Sequence, residues 1–256
     1  MKNLALFCAF FLLFSGSLRA GGAGGASPEA RVEEGFTLYR KGKYKEALGA
    51  FREAFDGGVR DGRLEYDMGN CWWRLGDKAR ALVCYERARA WMPRDPDVLA
   101  NIRLCRKSLG LDGTSAVPFL ASLWKAPAAF TLGELVALAA SFSVLCFLLL
   151  GAWTVFRKPY MGWLSLGFGA ALLLFGGLAL GRCLDRREYA LVTAGEARLL
   201  SEPRGGLSPI AVLRAGLEVE VLGGEGAWIR VEAGGRKGWL PAKDLGFLDW
   251  RKPPFP

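Results

Sequence analysis

The spacing of apolar positions changes repeatedly along this chain, and each change marks a different kind of element. From Pro28 to about Gly110 apolar and small residues recur at helical spacing: Val32, Gly35, Phe36, Leu38 and Tyr39 and then, past Gly42, Ala47, Leu48, Phe51 and Ala54. Leu135–Phe156 and Met161–Gly181 then run without a charge. At the rise of an α-helix each run would extend roughly 30 to 33 Å, enough to cross a hydrocarbon core. Only Arg157-Lys158-Pro159-Tyr160 separates them, so they are expected to form a hairpin, with Trp153, Tyr160 and Trp163 at a membrane interface. Gly162, Gly169 and Gly176 form a small-residue stripe for contact with the first span, near Ala139 and Ser143. From Tyr189 the period falls to two, as in Leu217-Glu-Val-Glu-Val-Leu222, and glycine turns follow at Gly223–Gly226 and Gly234-Gly235.

The helical region repeats itself. Gly35 and Gly69 lie 34 residues apart, and Gly42, Ala47, Phe51 and Ala54 are matched at the same offsets by Gly76, Ala81, Tyr85 and Ala88. Pro93 ends the second copy, and a helix over Asp97–Leu109 is expected to cap it. Over residues 28–110 this pattern resembles the tetratricopeptide (TPR) family of stacked helix pairs, departing from it at Gly57-Gly58-Val59, where that family commonly carries proline. The resemblance implies polypeptide binding on a concave surface. Phe36, Tyr39 and Arg40 would line it from the first repeat, and Tyr66, Asn70, Trp73 and Arg74 from the second. The bland alternative is that these aromatics pack only against the cap or a membrane. Since stable stacks usually need about three repeats, the two present are expected to lean on a partner.

The alternating segment, with Tyr189-Ala-Leu-Val, Ala197-Arg-Leu, Pro203, Gly216-x-x-Val219, Trp228-x-x-Val231 and Gly238-Trp239-Leu240-Pro241, resembles bacterial SH3-type domains over residues 188–248. That resemblance implies a small closed barrel binding peptidoglycan peptides or proteins, or serving as a spacer. Trp228 and Trp239 fit either a ligand cleft or a barrel core. Residues 111–131, with Gly113, Pro118 and Pro127, read as a linker whose Phe119–Trp124 patch either lies along the membrane surface or simply packs within the linker, and residues 249–256, ending Pro-Pro-Phe-Pro, as a flexible tail.

Composition narrows the chemistry. The formal charge of +9 is spread among interspersed acids and bases, with no basic run carrying aromatics. Nucleic acid is therefore not an expected partner, and anionic lipid headgroups use the excess more economically. The chain has no histidine, which removes Ser-His-Asp and Cys-His nucleophile systems and the commonest zinc ligand. No cofactor, metal or catalytic residue is expected, and no paired-carboxylate motif stands out. Six cysteines occur without a C-x-x-C pair; core thiols and a bridge among Cys71, Cys84, Cys105 and Cys183 both remain open. Lys2, the apolar stretch Leu4–Phe14 and the small residues after it predict a secretory signal over about 1–23.

The sequence thus predicts a multidomain membrane protein: all-α helical hairpins at 28–110, a transmembrane pair within 132–181, and a small all-β barrel at 188–248. In this order the parts resemble the BatE-like proteins of bacterial aerotolerance-type (Bat) operons. That family implies a non-enzymatic adaptor in the inner membrane with both soluble domains on the periplasmic side. It also implies membrane partners bearing von Willebrand factor A domains and, indirectly, a MoxR-type ATPase. The alternative is an envelope protein that binds peptidoglycan through its SH3-type domain.

Overall fold

The computed structural model describes residues 27–111, 130–184, 187–249 and 251–255. The expected signal segment and the body of the expected linker lie outside these residues. Among the described residues, five helices precede the apolar pair: α1 (Pro28–Arg40), α2 (Tyr44–Asp56), α3 (Gly62–Arg74), α4 (Lys78–Trp91) and α5 (Pro96–Ser108). Four of the five starts are set by a capping side chain. Ser27, Asp61, Asp77 and Asp95 each accept a hydrogen bond from a backbone N–H of the first turn, and Pro28 and Pro96 occupy first-turn positions where no amide is missed.

Consecutive helices pack as hairpins, and the repeated residues explain how closely. A Cβ on Gly35 would stand 2.4 Å from Phe51 Cε1, and one on Gly69 would stand 2.7 Å from Tyr85 Cε1. Each repeat therefore seats one aromatic ring on a glycine of its partner helix. Ala47, Phe51, Phe55, Leu64, Met68, Cys71 and Cys84 form one core across the two hairpins. Ala81, Leu82, Val83, Tyr85, Val98, Ile102 and Cys105 form the next, which also takes in Leu191 from the β region.

That β region has seven strands: β1 (Glu188–Val192), β2 (Glu196–Leu199), β3 (Ala211–Arg214), β4 (Glu218–Glu225), β5 (Trp228–Ala233), β6 (Arg236–Pro241) and β7 (Leu245–Phe247). Five form an antiparallel sheet in the order β6-β5-β4-β1-β7, β2 pairs with β3, and a bridge between Leu200 and Trp239 joins the two sheets. Alternate residues point into a common core of Ala190, Val192, Ala197, Leu199, Leu213, Val219, Val231, Leu240 and Leu245.

Two further helices, α6 (Leu132–Phe156) and α7 (Pro159–Leu184), are long and apolar enough to cross a membrane. Both helices extend a few residues beyond the expected spans, about 135–156 and 161–181. At the start of α6, Thr131 and Glu134 form a reciprocal capping box. The connection is Arg157-Lys158 alone: Arg157 adopts a left-handed φ of 55° and Pro159 begins α7. Most of their apolar side chains face outward, with Phe147 70%, Trp163 74% and Leu173 78% exposed, unlike any buried core helix. A Cβ on Gly162 or Gly169 would meet Trp153 or Cys146 of α6 rather than Ala139 and Ser143, and one on Gly176 would meet no side chain within 4 Å. Elsewhere along the pair Phe142 stacks on Phe175 with ring centroids 5.4 Å apart.

The C-terminal segment corrects the sequence reading. Rather than a flexible tail, residues 251–255 run over the helical unit, with Pro254 buried and Phe255 half-buried. Phe247 N–H donates to the Pro254 carbonyl at 3.0 Å, and the Phe255 ring meets Trp72 edge-on with centroids 5.6 Å apart. A proline-rich stretch lacks ladder hydrogen bonds, but here a surface receives it.

Candidate functional site

Helix α3 carries Tyr66, Asn70, Trp73 and Arg74 at spacings of four, three and one, which aligns them along one side of the helix. The structure links this stripe to both neighbours. On the α1 side, Arg74 lies near Tyr39 and Tyr44, whose hydroxyl groups favour its charged form and raise the guanidinium above its ordinary value. On the α5 side, Asn101 Nδ2 donates to the Tyr66 hydroxyl at 3.1 Å. In the middle, Tyr85 donates from its hydroxyl to Asn70 Oδ1 at 2.9 Å, and Asn70 Nδ2 reaches Asp67 Oδ1 at 3.5 Å. Tyr66 also lies against Tyr85, with centroids 5.6 Å apart. Five of the seven expected concave-face residues (Tyr39, Tyr66, Asn70, Trp73 and Arg74) thus lie on one continuous face.

The other two stand differently. Phe36 packs edge-on against Phe51 at 5.6 Å, so much of its surface serves the hairpin core. Arg40 turns back along its own helix, donating to Thr37 at 3.3 Å and lying 3.7 Å from Glu33. Sequence reasoning missed Asp67 and Asn101. Both follow from the repeat: Asp67 lies one residue beyond Tyr66, and Asn101 holds the equivalent place in the capping helix. Burial pushes the Asp67 carboxyl up to about 6, against the opposing pull of the Asn70 amide.

This face combines aromatic edges with an amide, a carboxyl and a guanidinium, of which the amide and the carboxyl are hydrogen-bonded to each other. It can stack on apolar side chains and exchange hydrogen bonds with an extended backbone. It holds no activated nucleophile. Cys71, Cys84 and Cys105 are free thiols, and burial pushes Cys71 and Cys105 up to about 12 and Cys84 well above its ordinary value. Among the described residues no three His, Cys, Asp or Glu side chains converge on a metal site.

In the β region, Trp228 pairs with Pro241 and Arg230 with Trp239, which puts both tryptophans on the side of β5–β6 opposite Val231 and Leu240. Each is half-buried, and neither belongs to the buried core of the sheets. No protein-family model matches this chain, and no curated protein does.

Proposed function

We propose that this protein is a non-enzymatic membrane adaptor whose helical repeats hold a segment of a partner protein on the face built by Tyr39, Tyr66, Asp67, Asn70, Trp73, Arg74 and Asn101. On this reading the helical unit is of the TPR type, the β region is an SH3-like barrel, and α6–α7 span the inner membrane. A hairpin leaves both soluble parts on one side of the membrane, here the periplasmic side. The single observation that carries the reading is the continuity of the face. Three helices contribute to it, hydrogen bonds tie Tyr66 to Asn101 and Asn70 to Tyr85 and Asp67, and Tyr39, Tyr66 and Trp73 are half-buried rather than enclosed. Such groups lose little conformational entropy when a peptide arrives.

The resemblance to BatE-like proteins makes membrane proteins with von Willebrand factor A domains the proposed partners, with a MoxR-type ATPase acting indirectly through them. The test is co-purification from gently solubilised membranes. The wild type is expected to recover a membrane protein, and Arg74→Glu with Tyr66→Ala to lose it; unchanged recovery would remove the face from consideration. A second reading is favoured by the outward placement of Trp228 and Trp239: the barrel binds peptidoglycan while the repeats act as a stalk. In that case the full-length protein sediments with purified sacculi, and Trp228→Ala with Trp239→Ala abolishes sedimentation.

A further inference from the structure

The opposite side of the helical unit carries the most heavily buried charge among the described residues. Arg87 on α4 is 0% exposed and Glu65 on α3 is 2% exposed. Arg87 Nε and Nη2 donate to Glu65 Oε1 at 2.8 and 2.5 Å. Its remaining nitrogen, Nη1, donates to three main-chain carbonyls of the C-terminal segment: Phe247 at 3.1 Å, Asp249 at 2.7 Å and Lys252 at 3.1 Å. A buried arginine that grips only carbonyl oxygens on one side reads backbone rather than side chains.

Beyond Lys252 the segment enters an apolar groove. Phe255 meets Trp72, and the Arg80 guanidinium lies 4.9 Å from the Trp72 ring and 5.6 Å from the Phe255 ring. Pro253, Pro254 and Phe255 wall one side of a pocket of about 510 Å³ that continues between Leu48, Phe55, Met68 and Leu75. The indole N–H of Trp72 is buried there without an acceptor, although a buried tryptophan N–H ordinarily finds one. Within residues 253–255 a single backbone hydrogen bond, from Phe247 to Pro254, holds the chain down. Strong anchoring at Arg87 thus gives way to a loosely held end in a groove with room to spare.

We propose that this groove is a second peptide-binding site, taking a segment in which two prolines precede an aromatic residue, and that the chain's own C-terminal segment is its resident ligand. Proline supplies a preformed extended backbone, the aromatic residue fills the space beside Trp72, and Arg87 reads the carbonyls upstream. The resident segment clasps the β region to the helices. Its proline-aromatic end is exchangeable, and the groove, once vacated, accepts the same sequence from solution. This proposal is independent of whether the concave face holds a partner.

The experiment compares the full-length protein in detergent with a variant ending at Lys252, using a fluorescent synthetic peptide of residues 251–256 as the probe. A short tether holds its ligand at an effective concentration in the millimolar range. The intact chain is therefore expected to bind the free peptide about tenfold more weakly than the truncated one, for a peptide affinity of about 100 μM. Trp72→Ala in the truncated chain should abolish binding. Equal binding by both chains, or none by a truncated chain that keeps its helical circular dichroism, overturns the proposal. Should truncation unfold the protein, hydrogen exchange on full-length Phe255→Ser decides. Faster exchange confined to the Phe247 and groove amides supports a displaceable clasp, and unchanged exchange overturns it.

Discussion

Helices α4 and α6 both lack a distinct apolar stripe, for opposite physical reasons. Helix α4, with Lys78, Arg80, Glu86, Arg87 and Arg89, has the composition of a surface helix, yet everything from Ala81 to Ala88 is buried. One side packs on α3 and α5, and the other carries β1, β7 and the C-terminal segment. Gly246 lies so close that a Cβ there would be 2.5 Å from Val83 Cγ2. Helix α6 is apolar all round, and apart from the side that packs on α7 it is exposed. Protein covers the middle of α4 on every side, whereas the outward side of α6 is long and apolar enough to cross a membrane. A helix shows an apolar stripe where one side meets protein and the other meets water, and neither of these helices is divided in that way.

The largest expected effect comes from breaking the α4 side. Replacing Arg87 with Met leaves the Glu65 carboxylate buried without its partner and frees three carbonyls, so a loss of about 3–5 kcal/mol is expected in denaturant unfolding of the full-length protein. Adding Glu65→Leu should recover most of this, because the uncompensated charge is gone. A single substitution costing less than about 1 kcal/mol would mean that water reaches Arg87 and that α4 is half-solvated after all.

The matching change in α6 is Leu148→Arg, at a position 65% exposed in the structure. In lipid it should cost about 2.5–3.5 kcal/mol of insertion, read as the fraction resisting alkaline extraction from membranes. Leu104→Arg on α5, itself 46% exposed, provides the aqueous control and should stay within about 0.5 kcal/mol. Similar behaviour of the two substitutions would place α6 in water. A smaller effect separates the repeat glycines. Gly69→Ala drives a methyl into the Tyr85 ring and should cost about 1–3 kcal/mol of thermal stability. Gly49→Ala on α2 meets nothing within 4 Å and should stabilise by up to about 1 kcal/mol.

These contrasts also show what was legible in the chain. The glycine–aromatic pairs were, because a 34-residue period exposes two copies of one packing solution, and the uncharged runs were, because few structures tolerate them. Strand β3 escaped notice because four residues, only one of them buried, leave little alternation to read. The burial of Arg87 and the docking of Phe255 were illegible for a different reason. Arg87 bonds residues about 160 positions away, and nothing local in Lys78–Trp91 distinguishes a covered polar side from a solvated one. Likewise the repeat pointed to Tyr66 and Asn70, while Asp67, which hydrogen-bonds Asn70, was passed over because a charged helical residue reads as solvent-facing.

Asp67 gives the finest test. Its carboxyl is pushed up to about 6 by burial, whereas an unfolded chain holds aspartate near 3.9. Between those values the folded state binds the extra proton, so this group's contribution to stability falls as pH rises from about 4 to 6 and is constant above. Allowing for the water that still reaches it, the expected loss is about 1 kcal/mol. Asp67→Asn keeps a hydrogen-bonding partner for Asn70 without the charge. Its stability should therefore exceed that of the wild type at pH 7.5 and match it near pH 4, as measured by thermal unfolding at both. A parallel offset at every pH would mean that the carboxyl is solvated, and the face between Tyr66 and Asn70 would then be wetter and looser than a preorganised peptide site requires.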